Sequence, residues 1–204
     1  KKTLLLSLLL LCGASLYANG IRSIREFGVL PGNSPEENKR NMQKAIDWAS
    51  PLGAALWIEP TDTPYPMDGG IILKRNVSLI GAQGPTGRGT ADATRSHPVG
   101  SVFAITDTNN PFIITESATT LRGIQFYYPE QTHQKAADII PYPPTIQAKK
   151  GENVQGVTLS CLTFYGEYIA MDYLCTPKAI CEQILIEHCY GYPLSGQFVR
   201  IDYC

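Results

Sequence analysis

The stretches VQGVTLSCLTFYGEYIAMDY, residues 154–173, and ILIEHCYGYPLSGQFVRIDY, residues 184–203, decide the fold. Each runs from an apolar segment into a cysteine (Cys161, Cys189) and an aromatic-glycine turn. Each then closes on a second apolar segment ending in Asp172-Tyr173 or Asp202-Tyr203. The cysteines stand 28 residues apart and the aspartates 30. A repeat of this length with two strand-like runs per unit is a solenoid signature, and strands in place of helices make it a β-helix.

Working outward from the repeat, short β-rich runs recur at 71–73, 77–80, 102–105, 112–115, 121–128, 154–164, 169–173, 184–189 and 198–203, mostly separated by Gly, Pro or Asn. Several are nearly continuous in apolar character, as strands with a tightly packed core face are. Only one segment has a helical period. Ser34, Pro35 and Glu37 give a cap hydroxyl, a proline at the first helical position and a glutamate three residues past the cap. Met42, Ala45, Ile46 and Ala49 then fall on one stripe, and Pro51 and Gly53 end the segment. A β-helix exposes core and unpaired backbone at its ends, so this helix is expected to cover the N-terminal end.

Composition excludes several classes. Apolar residues make up 44% of the 204 residues, charged residues 17%, and the net charge is −1, which fits neither a disordered tail nor a basic nucleic-acid binder. Lys1 and Lys2, the apolar run 4–11, and the small residues Gly13, Ala14, Ser15 and Ala18 follow the order of a secretory signal peptide, with cleavage expected after Ala18. That run is far shorter than the roughly 20 apolar residues of a membrane span. Residues 19–204 are then one domain of an exported protein, with 15 basic against 18 acidic side chains. Five cysteines remain, all in the last 44 residues. Export permits disulfides, but stacked Cys161 and Cys189 are read as an inward ladder of free thiols. No Cys-x-x-Cys motif supports a zinc or redox role.

The residues Glu26-Phe27-Gly28, 41–47 (NMQKAID), 54–60 (AALWIEP), Tyr65-Pro66-Met67 and 77–81 (VSLIG) occur in an order that resembles the N-terminal region of the pectate lyase superfamily. Ser34-Pro35-Glu36-Glu37-Asn38 stands where related proteins carry an Asp-Gly-x-x-Asp-Asp-Thr stretch, so no polar role is carried over to it. The resemblance implies a right-handed parallel β-helix, a polysaccharide ligand and lyase or hydrolase chemistry. Calcium is implied by the resemblance alone, because no metal-ligand spacing is present.

Outward residues of successive coils form ladders suited to extended polymers. If the repeat is in register, Asp172 and Asp202 lie on neighbouring coils one strand spacing apart, and close carboxylates push their pKa values apart as an acid/base pair needs. The bland reading is two solvated or turn-capping aspartates. Arg88 and Arg95, in the Gly-rich excursion 81–100, are candidate walls of a groove. Tyr128, Tyr173 and Tyr203 are candidate sugar-binding residues, with Tyr127 and Tyr142 beside them. Glu187 and His188 are read as strand neighbours facing opposite sides, with His188 buried. The expected function is a polysaccharide lyase or glycoside hydrolase. Two alternatives are a non-catalytic carbohydrate-binding or adhesion β-helix and a structural spike-like module. Since the chain stops at Cys204 with no C-terminal cap in view, it is read as the N-terminal part of a longer β-helix.

Overall fold

The computed structural model describes residues 20–82, 100–131 and 135–202. Strand β1 (Ile21–Ser23) precedes helix α1 (Pro35–Ala49). There follow β2 (Ala55–Ile58), β3 (Tyr65–Met67), β4 (Ile71–Leu73), β5 (Ser78–Gly81), β6 (Val102–Ile105), β7 (Ile113–Thr115) and β8 (Thr120–Arg122). The remaining strands are β9 (Gln125–Tyr127), β10 (Ile146–Ala148), β11 (Val154–Ser160), β12 (Thr163–Tyr165), β13 (Ile169–Tyr173), β14 (Cys181–Glu187) and β15 (Gln197–Ile201). They form three sheets: A in the order β1-β2-β5-β8-β11-β14, B in the order β12-β9-β6-β3, and C in the order β15-β13-β10-β7-β4. Every strand pairing is parallel, and from β2 to β13 the chain visits A, B and C in turn, the last coil running from β14 in A to β15 in C. The chain is a parallel β-helix.

Side chains alternate in and out along each short strand, and the inward ones stack into columns. Leu56, Leu79, Leu121 and Leu159 align in sheet A, and Ile71, Ile113, Ile146 and Met171 in sheet C, all buried. In sheet B, Tyr65, Phe103, Phe126 and Phe164 align, with successive ring centroids 6.1, 6.5 and 5.0 Å apart. Burying such a side chain stabilises the fold by about 1.5–3 kcal/mol each.

Helix α1 closes the N-terminal end as its stripe implied. Ser34 Oγ accepts the Glu37 amide, Pro35 occupies the first turn, and Met42, Ala45, Ile46 and Ala49 are buried. The helix packs on β2, β3 and β4. Its amide side chains also pair the exposed strand edges. Gln43 accepts from Ile72 N at 3.0 Å and donates to Ile72 O at 3.1 Å, completing the two backbone groups that a further strand would have paired. Asn38, fully buried, donates to Pro66 O at 2.9 Å and exchanges hydrogen bonds with both backbone groups of Leu30.

The corners flanking sheet A use left-handed backbone. Asn76, Ala118, Gly156 and Gln183 form one column, with φ of 65°, 55°, 67° and 55°. Gly123, Cys161 and His188 form the other, with φ of 68°, 54° and 50°. These residues split the runs read as single strands at 121–128 and 154–164. They also set the register, because Ser160 pairs with Glu187, so Cys161 stacks on His188 and not on Cys189. The expected cysteine ladder is therefore one residue out of step. Cys161 lies at a corner, whereas Cys189 is half-buried with its thiol donating to Glu187 O at 3.3 Å. His188 is exposed, correcting the buried reading: β14 ends at Glu187, and the corner turns the imidazole outward.

Candidate functional site

Sheet C presents a flat outer face. The residues between the inward-facing ones form an outer row in register, Ile72, Ile114, Gln147, Asp172 and Arg200, from one end of the solenoid to the other. The apolar start of this row gives way to polar residues on the last three coils. Asp172 is 4% exposed. Its Oδ2 accepts from Gln147 Nε2 at 3.1 Å and its Oδ1 from the Leu174 amide at 3.2 Å. Lys150 Nζ stands 3.7 Å and Arg200 NH1 4.0 Å from the same Oδ2. The outcome is a carboxylate set between two partly exposed cations on a surface that runs along the solenoid axis.

The register corrects the basis for pairing Asp172 with Asp202. Sheet C advances 28 residues between β13 and β15, not 30, so Asp172 faces Arg200. Asp202 lies two residues beyond, past the end of β15. There Oδ1 accepts from Cys175 N at 2.6 Å and its carbonyl accepts the Cys175 thiol at 2.9 Å. Identical Asp-Tyr sequence does not mean equivalent position: the chain advances 27 residues from Ser160 to Glu187 in sheet A and 28 from Asp172 to Arg200 in sheet C, so a spacing of 30 overshoots by two.

Two of the predicted sugar platforms face the core instead. Tyr173 is fully buried with its hydroxyl 3.1 Å from Thr115 Oγ1, and Tyr128 is buried with its hydroxyl 2.7 Å from Thr145 Oγ1. Burial pushes both phenols well above their usual range. Tyr142 is buried against Tyr128, ring centroids 4.6 Å apart. Tyr127 points outward and is half-buried. Arg88, Arg95 and Tyr203 lie outside the described residues, as do His97 and His133.

Two carboxylate settings escaped sequence reasoning. Between α1 and the turns joining sheets B and C lies a polar cleft of about 410 Å³, lined by Lys39, Asp68, Thr106, Asp107, Thr108, Asn109 and Asn110. Burial and the nearby Asp107 raise Asp68, with Lys39 opposing. Burial also works to raise Asp107, but hydrogen bonds from the Asn110 side chain and the amides of Asn109, Asn110 and Gly69 outweigh it and hold that group low. Both oxygens of Asp107 are thereby tied to its own turn and the one below. The second setting is Glu167, at the corner between β12 and β13. It is fully buried and neither carboxyl oxygen has a hydrogen-bond partner. Burial pushes its pKa up to about 8, with the nearby amides of Glu167 itself and Tyr192 opposing but too poorly placed to form hydrogen bonds. Its neighbours come from turns on different coils, so no linear spacing announces either setting.

Among the described residues no three His, Cys, Asp or Glu side chains converge on a point that could hold a metal ion. The calcium implied by the family resemblance has no donor set there. No helix among the described residues is long and apolar enough to cross a membrane.

No family model matches the chain, and no curated protein matches its sequence. Among solved structures, a chain from Parabacteroides merdae described as a "putative glycosyl hydrolase" is similar over 89% of this chain and 99% of its own, at 14% identity and a TM-score of 0.42. A likeness at that level bears on neither the fold nor the chemistry of this protein.

Proposed function

We propose that this chain is an exported, carbohydrate-active β-helix, with residues 1–18 as its export signal. It takes an extended, uronate-bearing polysaccharide along the outer face of sheet C and cleaves it as a lyase or glycoside hydrolase. The observation that carries this reading is Asp172 set between Gln147, Lys150 and Arg200 on an axial row. Guanidinium and ammonium groups clamp sugar carboxylates through charge-assisted hydrogen bonds. A carboxylate beside them is placed to move a proton at the linkage. Asp202, two residues past Arg200 on the next coil, is the second carboxylate of the proposal. A net charge of −1 argues against nucleic acid as the polymer.

One observation favours a second reading, binding without cleavage. Asp172 is nearly buried and both of its oxygens already accept hydrogen bonds, as in a carboxylate that shapes a surface without reacting on it. A screen over uronate and neutral polysaccharides, read by absorbance of unsaturated products and by reducing ends, separates the two. Cleavage is expected, with Asp172→Asn lowering the rate about 10²-fold or more. Full activity in both Asp172→Asn and Asp202→Asn would remove the pair, and binding with no product would establish the second reading.

A further inference from the structure

The outer side of sheet B carries a surface of different chemistry. Because Phe103, Phe126 and Phe164 point inward, the residues that follow them point out. The register aligns Pro66, Ala104, Tyr127 and Tyr165 in one axial row, which ends in two tyrosines on successive coils. The last coil extends this face with Tyr190, bridged to Thr163, and with Tyr192 two residues on. These two rings are 48% and 52% exposed. We propose that Tyr127, Tyr165, Tyr190 and Tyr192 form a glycan-binding face, separate from sheet C, that stacks the apolar faces of pyranose rings in a polysaccharide lying along the solenoid axis.

Three features argue for this occupant. Coils repeat about every 4.8 Å, so rings on successive coils meet a linear polymer at regular intervals. Tyrosine offers a flat apolar face with a hydroxyl at its rim, matching a sugar ring that is apolar across its face and polar at its edge. The row itself is uncharged. Bases would also stack on tyrosines, but strand binding needs a positive groove beside them, and this row supplies no cation. The same lack of cations fits neutral sugars better than uronates, in contrast to the Lys150 and Arg200 setting on sheet C.

The turn that presents the last two rings is fixed in place. Gly191, between the two rings, leaves no room for a side chain: an added Cβ would meet Glu167 Oε1 and lie 2.7 Å from the Phe198 ring, so a larger residue would have to displace these side chains. Beyond it, Leu194 N donates to Glu167 O at 3.0 Å and Ser195 N to Tyr168 O at 3.1 Å. Two half-exposed aromatics on a pinned turn are poised before any ligand arrives, which limits the ordering cost of binding.

This inference takes its ligand class from the carbohydrate reading but does not depend on Asp172. Affinity electrophoresis of the full chain in gels containing polygalacturonate, alginate, xylan or the neutral glucan laminarin tests it. The variants are Tyr165→Ala, Tyr165→Phe, the double change Tyr190→Ala with Tyr192→Ala, and, as a control on the exposed side of α1, Arg40→Ala. Expected is retardation by a neutral glycan that weakens about tenfold in each tyrosine-to-alanine variant, while Tyr165→Phe and Arg40→Ala bind as wild type does. Tyr190 and Tyr192 are exposed enough for their truncation to leave the core intact. Undiminished retardation in the tyrosine-to-alanine variants overturns the tyrosine face alone, as does a loss in Tyr165→Phe equal to that in Tyr165→Ala. No retardation of wild type in any gel overturns the face and the carbohydrate reading together.

Discussion

Glu167 carries an energetic cost that depends on pH. In the unfolded chain its carboxyl releases a proton near 4.5, and in the folded protein near 8. Between those values the native state binds a proton that the unfolded state lacks, so raising pH favours unfolding by up to about 1.4 kcal/mol per unit. Below the unfolded value both states are protonated and the cost vanishes. Thermal melting should therefore fall as pH rises from 5 to 8, and Glu167→Gln should flatten that slope. An identical slope in the variant would show that other groups set it. Nothing in the string Gly166-Glu167-Tyr168 distinguishes this glutamate from a solvated one. Its carboxyl sits against Gly191, which belongs to the next coil. Tyr128 and Tyr173 are concealed in the same way. Both look like surface aromatics in sequence, yet the coil turns their hydroxyls onto buried threonines 17 and 58 residues away.

At the scale of elements, the N-terminal cap was the most legible feature, because cap, proline and apolar stripe are all local signals. Its polar half was not. Gln43 and Asn38 read as ordinary helix-surface amides until the strand edges they pair are known. Gln43→Ala would leave the Ile72 amide and carbonyl unpaired at the edge of β4, costing about 1–3 kcal/mol in chemical denaturation. Met42→Ala should cost about 2–5 kcal/mol by opening a cavity under the helix. If Gln43→Ala proves neutral, the amide is not standing in for a strand. Most strands were also legible, whereas their break points were not. Glycine at 123 marks one corner, but Cys161 and His188 adopt the same left-handed backbone without being glycine. In the apparent repeat, that concealed corner pairs Cys161 with Cys189 in place of His188, and the one-residue longer path to sheet C, equally hidden, pairs Asp172 with Asp202 in place of Arg200.

At the scale of the molecule, a β-helix converts one-dimensional repetition into axial rows, and the outer rows differ from face to face. Sheet C runs from Ile72 and Ile114 to Gln147, Asp172 and Arg200, while sheet B runs from Pro66 and Ala104 to Tyr127 and Tyr165. Both become polar or aromatic toward the last coils, where Ile180, Leu185 and Ile201 are also exposed. The repeat and the family resemblance together pointed to the solenoid, although the residues that marked the repeat do not stack on one another. The composition of each row required the register, which no spacing of identical residues disclosed. The most direct test of the central claim, that sheet C holds a uronate chain at Asp172, is a crystal structure of the protein with a uronate oligosaccharide. The account requires a sugar carboxylate against Arg200 or Lys150, with the chain crossing the Gln147–Asp172 row. A saccharide seated elsewhere, with that row left bare at saturating ligand, would contradict it.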